Sequence, residues 1–158
     1  MAGINTQSKN GVVDLFWSGG WDSTFRLLQL LLDDKRKVQT HYVIWGGDTV
    51  GETVKAMQEI RKELFKRYPF TKELLLPINF IDSISIHKNP KIETAYETIS
   101  KEIKVGYQHA LLAHFCSQHG YETIEQGIEK NSHSHHLIMD YLSDYSVDKE
   151  RSFEPIYE

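Results

Sequence analysis

The run Ser18-Gly19-Gly20-Trp21-Asp22-Ser23-Thr24 restricts the fold more than any other feature, because of what lies on either side of it. Before it, Val12-Val13-Asp14-Leu15-Phe16-Trp17 reads as a buried strand, and after it Phe25 to Leu32 reads as a helix. Two adjacent glycines let the backbone turn tightly between them and approach a ligand closely. Ser23 and Thr24 add hydroxyls, and the first turn of a helix leaves N–H groups without internal partners. An anion placed there meets many donors and the positive end of a helix dipole.

The rest of the chain repeats the strand–helix alternation. Asp33 to Lys37 is a charged connection, and Thr40 to Trp45 reads as a second strand rich in aromatic and β-branched residues. It ends in a Gly46-Gly47-Asp48 turn. Glu52 to Arg67 carries Val54, Met57, Ile60, Leu64 and Phe65 near helical spacing, and Pro69 ends that helix. Leu74 to Ile81 reads as a third strand, placed at an edge or bent early by Pro77. Ser83 to Lys104 reads as a loop with a short helix near Ile92 to Ile99. Gly106 to His119 is a helix stopped by Gly120, and Tyr121 to Ile128 a fourth strand. Leu137 to Tyr145 closes the pattern as a helix, and Phe153 to Tyr157 as a fifth short strand.

Alternation of this kind favours an α/β fold: a parallel sheet of about five strands with helices on both faces and right-handed crossovers. Ligands bind such sheets at the carboxyl ends of the strands, near the point where strand order reverses. Ser18–Thr24, Trp45–Asp48 and Gly127–His136 would gather on that edge.

At 158 residues the chain is most simply one domain, residues 11–158, behind a polar, fraying segment 1–10. Its formal net charge of −4 counts against nucleic acid and membranes as partners, though a local basic groove is compatible with it. Cys116 is the sole cysteine and has no internal disulfide partner, so a cytoplasmic setting is expected. Leu27 to Leu32, the longest apolar cluster, is too short to span a bilayer, and no signal peptide is visible.

Two phosphate-loop motifs fail here. No lysine stands near the glycines, as a Walker A loop requires, and adjacent glycines do not make Gly-x-Gly-x-x-Gly. The run resembles instead the Ser-Gly-Gly-x-Asp-Ser loop of the N-type ATP pyrophosphatases, or PP-loop enzymes. Element order over roughly residues 12 to 157 is most similar to the 7-cyano-7-deazaguanine synthase family. Trp45-Gly46, Glu52, the Gly106–Gly127 segment and Pro155-Ile156 occupy comparable places. Two departures stand out. The family's C-terminal cysteine cluster for structural zinc has no counterpart here, and its central helix opens with Arg-Asn where this chain has Gly106-Tyr107-Gln108-His109.

The resemblance implies an adenine nucleotide alpha hydrolase (HUP-like) fold with ATP and Mg²⁺ as cofactors. It also implies attack of a carboxylate or carbonyl oxygen of a small-molecule acceptor on the α-phosphate, with pyrophosphate leaving. Ser18, Gly19, Gly20, Asp22, Ser23 and Thr24 would hold the phosphates, Asp22 and Ser23 being the catalytic pair. Asp22 would position the metal, or cap the helix; the two roles are compatible. Ile44, Trp45 and Gly46 would contact adenine, with Trp45 stacking on it or packing as core. Gly127 would allow close approach of the ligand, and Asp48 would reach metal or ribose or simply turn the chain.

Three further groups have two readings each. His133, His135 and His136 would face a metal or substrate, or form a plain polar loop; Lys101 and Lys104 would neutralise phosphate, or coat a helix. Cys116 reads as packing or as a nucleophile, and His109, His114 and His119 on the same helix as packing or polar-face residues. Two alternatives accompany the ligase reading: a noncatalytic ATP- or AMP-binding module, and a tRNA-thiolating relative, against which the acidic charge and the missing cysteine pair both count. A homodimer is an assembly open to such a chain.

Overall fold

Residues of β1 (Val12–Phe16) alternate in what they touch, and that alternation organises the domain. The computed structural model describes residues 11–47 and 49–128. Val13 and Leu15, continued by Trp17 just past the strand, pack with Leu27, Leu30 and Leu31 from the helical segment that follows. Phe16 faces the other way, into a separate cluster with Leu111 and Phe115. A strand buried on both faces is the signature of a parallel sheet sandwiched between helices.

The chain runs β1, α1 (Trp21–Leu28), a π-helical turn (Gln29–Asp33), β2 (Lys37–Ile44), α2 (Val50–Arg67), the single turn α3 (Thr71–Leu74) and β3 (Asn79–Asp82). A 3₁₀ turn (Ser83–Ser85), α4 (Pro90–Glu102), α5 (Tyr107–His119) and β4 (Glu125–Gln126) follow. Sheet order is β3-β2-β1-β4, and every pairing is parallel. The described sheet therefore has four strands where about five were expected. Residues 153–157, read as the fifth, lie outside the described residues, as do the expected helix 137–145 and the N-terminal segment 1–10.

Helices cover both faces. α1, its π-turn and α2 bury Leu27, Leu30, Leu31, Met57 and Leu64 against Val13, Leu15 and Val38. On the opposite face α5 buries Leu111 and Phe115 against Phe16, Val43 and Ile81. α4 contributes no fully buried residue and lies against α5.

Boundaries differ from the sequence reading at several places, among them the fourth strand, expected over Tyr121–Ile128 and confined to Glu125–Gln126. α1 begins at Trp21, not Phe25, because Gly20 is extended (φ −74°, ψ 168°) and its carbonyl already accepts the Thr24 N–H at 3.0 Å. Asp22, Ser23 and Thr24 are thus first-turn residues. β2 starts at Lys37 inside the expected charged connection, since Val38 and Thr40 are fully buried beside β1. The expected third strand is broken: Leu75 makes one bridge to Val38, Pro77 interrupts, and β3 forms only from Asn79, at the sheet edge. The short helix expected near Ile92 to Ile99 is longer, the 13-residue α4, opened by Asn89, whose side chain accepts the Lys91 N–H at 3.0 Å, and by Pro90 in the first turn. α5 ends as expected at Gly120, whose φ of +66° is the left-handed stop that glycine adopts without a Cβ penalty.

No helix among the described residues is long and apolar enough to cross a membrane.

Candidate functional site

The chain steps outward from β1 to β2 to β3, then returns to place β4 on the free side of β1. The crevice between the carboxyl ends of β1 and β4 is the switch point where such sheets bind ligands. The Ser18–Ser23 loop fills its rim, and a cleft of about 250 Å³ opens there. That is a little below the roughly 300–1,000 Å³ of whole small-molecule sites, so the cleft encloses part of a ligand rather than all of it.

The loop is held by its own hydroxyls. Ser23 is buried; its Oγ accepts the Ser18 N–H at 3.3 Å, lies 3.3 Å from Ser18 Oγ and donates to the Gly20 carbonyl at 3.4 Å. Gly19 makes the bend with φ +73°, a conformation side chains rarely adopt, and a Cβ there would lie 2.9 Å from Met57 Cγ on α2. No side chain caps α1, so its first N–H groups face the rim without partners from the helix itself.

β4 forms the second wall and is docked on α1 at two points. Glu125 Oε2 accepts from Arg26 Nε at 2.7 Å, one turn beyond the loop. Gly127 abuts the first turn of α1 so closely that an added Cβ would fall 2.5 Å from the Asp22 carbonyl oxygen. The close approach expected of Gly127 is thus made to backbone. A third wall is the opening turn of α5, where Gly106 likewise offers no side-chain cap and Gln108 lines the cleft.

Of the residues singled out from sequence, Ser18, Gly20, Asp22, Ser23, Trp45 and Gly127 line this cleft together. Asp22 and Trp45 are exposed within it. Thr24 does not line it; its Oγ1 accepts the indole N–H of buried Trp17 at 2.9 Å. Gly19 acts on α2, Ile44 pairs with Asp82 in the sheet, and Gly46 lies in the exposed turn; none of the three lines the cleft. Lys101, Lys104 and His109 also lie off it. Asp48, His133, His135 and His136 fall outside the described residues.

Cys116 and His114 belong to packing, as read. Burial pushes the Cys116 thiol up, with Asp14 adding to the rise. His114 is fully buried, accepts the Asn89 N–H at Nδ1 (3.0 Å) and donates from Nε2 to Glu93 (2.6 Å).

Sequence reasoning missed four contributors. Trp21 stands 92% exposed at the cleft rim. Gln108 and Gln126 bring side-chain amides from opposite walls, and only the Gly106-Tyr107-Gln108 helix start was a legible hint. On the floor, His41 is buried, its Nδ1 accepting from Asn79 Nδ2 at 3.0 Å and its Nε2 donating to Asp14 at 2.8 Å. Both ring nitrogens are engaged, so His41 props the floor and offers no lone pair to the cleft.

The donor set suits an anion with a magnesium ion: helix N–H groups and the Ser18 hydroxyl for phosphate oxygens, one exposed carboxylate for the metal. Magnesium usually takes one or two carboxylates and completes its shell with phosphate and water. Among the described residues no group of three or more His, Cys, Asp or Glu side chains could hold a metal by itself. Compared with known proteins, the chain matches no family model, no curated protein and no solved structure.

Proposed function

We propose that this chain is a PP-loop nucleotide-binding domain of the HUP-like class that takes Mg²⁺–ATP at Ser18–Ser23 and adenylates a small acceptor. The observation that carries the reading is the position of the Ser-Gly-Gly-x-Asp-Ser run. It leaves the carboxyl end of β1, enters the first turn of α1, and does so where the strand order reverses. In the proposed reaction a carboxylate or carbonyl oxygen of the acceptor forms a bond to the α-phosphorus. The bond from that phosphorus to the bridging oxygen breaks, and pyrophosphate leaves with the electron pair.

Catalysis of this type rests on positioning and charge stabilisation. Ser18 and the open N–H groups of α1 hold the departing pyrophosphate, and Ser23 keeps the loop in that shape. Asp22 positions the magnesium ion, which neutralises phosphate charge when bound. Trp45 stacks on adenine at the end of β2, and the amides of Gln108 and Gln126 grip the acceptor.

One observation favours a noncatalytic nucleotide-binding module as the second reading. Among the described residues Asp22 is the only carboxylate lining the cleft, and the His41 ring beneath it is fully engaged.

Calorimetry with Mg²⁺–ATP tests the site, and pyrophosphate release across a panel of carboxylates tests the reaction. Asp22→Ala, an exposed substitution, is expected to weaken ATP binding about tenfold or more, as loss of a charged contact does. Absence of ATP binding, or unchanged binding in Asp22→Ala, overturns the site. Tight binding without release from any acceptor selects the module.

A further inference from the structure

Away from the nucleotide cleft, the outer side of α2 carries a second concave surface, a groove of about 490 Å³ lined by Gln58, Arg61, Lys62, Phe65, Lys66 and Lys72. It shares no residue with the cleft. The first five repeat at helical spacing along one stripe of α2, over about 12 Å of helix at about 1.5 Å per residue. Lys72 completes the groove from α3. Four of the six lining residues are cations and none is a carboxylate, on a chain whose formal net charge is −4.

Part of that array is fixed. Arg61 Nη1 donates to the Leu76 carbonyl at 2.8 Å, and its guanidinium sits 5.1 Å over the Phe65 ring. Lys62, Lys66 and Lys72 are exposed around it. The one arginine of this stretch that is paired to an acid, Arg67 with Glu63 at 2.6 Å, does not line the groove.

We infer that this groove is a binding site for a compact polyphosphate, a ligand that concentrates several negative charges in a small volume. The groove is wide open to solvent, so charge rather than enclosure would hold the ligand. The surrounding charge limits the ligand's size. Exposed Glu59 and Glu63 on α2 and Glu73 on α3 are chain neighbours of the lining residues Gln58, Lys62 and Lys72, so carboxylates flank the cations. A long polyanion would cross those carboxylates and meet an acidic molecule; a compact one stays among the lysines.

Lysine footprinting on the wild-type protein tests this. The readout is limited acetylation with peptide mass spectrometry, and inorganic tripolyphosphate is the probe. At ten times its Kd, tripolyphosphate is expected to slow acetylation of Lys62, Lys66 and Lys72 about tenfold. Lys91 and Lys101, exposed on α4, should react unchanged. In Lys62→Gln/Lys66→Gln the protection of Lys72 should vanish. GTP in place of tripolyphosphate distinguishes the sources: equal protection marks the bare phosphate chain, stronger protection a nucleoside polyphosphate. Uniform protection of all lysines, or none, overturns the inference. So does protection given only by a single-stranded oligonucleotide, which would make the groove a nucleic-acid track.

Discussion

Gly127, the residue just past β4, lies directly on the backbone of Asp22 in α1: a Cβ at Gly127 would stand 2.5 Å from the Asp22 carbonyl oxygen and 2.7 Å from its carbon. The next nearest atom, Ser23 Cα at 2.8 Å, is also backbone, so no flexible side chain can give way. This contact sets the width of the crevice, because it presses the second wall against the first turn of α1.

Gly127→Ala therefore forces β4 and α1 apart. Overpacking of this kind typically costs about 1–3 kcal/mol. At roughly 2–4 °C per kcal/mol for a chain of this size, the melting temperature should fall by about 2–12 °C in scanning calorimetry. An unchanged melting temperature would show that β4 does not seat on Asp22.

Trp17 and Thr24 make a second prediction, one that separates structural from ligand-facing hydroxyls. Thr24→Val keeps the side-chain shape but strands the indole N–H of Trp17, a residue only 1% exposed. A buried donor left unsatisfied costs about 1–3 kcal/mol, measurable by urea unfolding. Thr24→Ser keeps the acceptor oxygen and should cost less. ATP affinity should change less in Thr24→Val than in Asp22→Ala, since Thr24 is not in the cleft lining.

These residues also mark how far the sequence could be read. The Ser18–Ser23 run, the strand–helix alternation and the α5 stop at Gly120 were legible because each has a local signature: adjacent glycines, alternating apolar segments, a left-handed cap. α4 was legible only in its middle, near Ile92 to Ile99, because none of its residues is fully buried and no apolar stripe marks its ends. It is held by polar contacts to residues far along the chain, such as Glu93 with His114. The start of β2 was hidden by its charges, and Tyr121–Ile128 pairs with β1 at only two residues, Glu125 and Gln126. The cleft was half legible. Its loop is contiguous, whereas Gln108, Gln126 and the His41–Asp14–Asn79 array converge only through the sheet.

Cys116 should be a slow nucleophile while the chain is folded. It is half-buried against the α5 cluster, burial pushes its thiol up, and the nearby Asp14 charge acts in the same direction. The thiolate is the reactive form, so less of it is present at a given pH. Alkylation by iodoacetamide at pH 8 should be markedly slower in native protein than in urea. Equal rates would place the thiol in open solvent.

The contact between α4 and α5 should be acid-sensitive through Glu93. Its Oε1 accepts from His114 Nε2 at 2.6 Å and from the Tyr107 hydroxyl at 3.1 Å, and its Oε2 from Lys88 at 3.2 Å. The bond from His114 is the main reason its carboxyl is held below the usual range; burial opposes the shift, and Lys88 and Tyr107 add to it. A carboxylate depressed in the folded state stabilises above its unfolded value, about 4.3, and that contribution fades as pH falls through the lower folded value. Acid is thus expected to erode wild-type stability below about pH 4.3 more steeply than that of Glu93→Gln, which lacks the ionisable group. The measurement is urea unfolding of both proteins from pH 7 down to pH 3. Their stability difference should be largest at neutral pH and shrink on acidification, and a difference independent of pH would show that Glu93 carries no depressed charge in this contact.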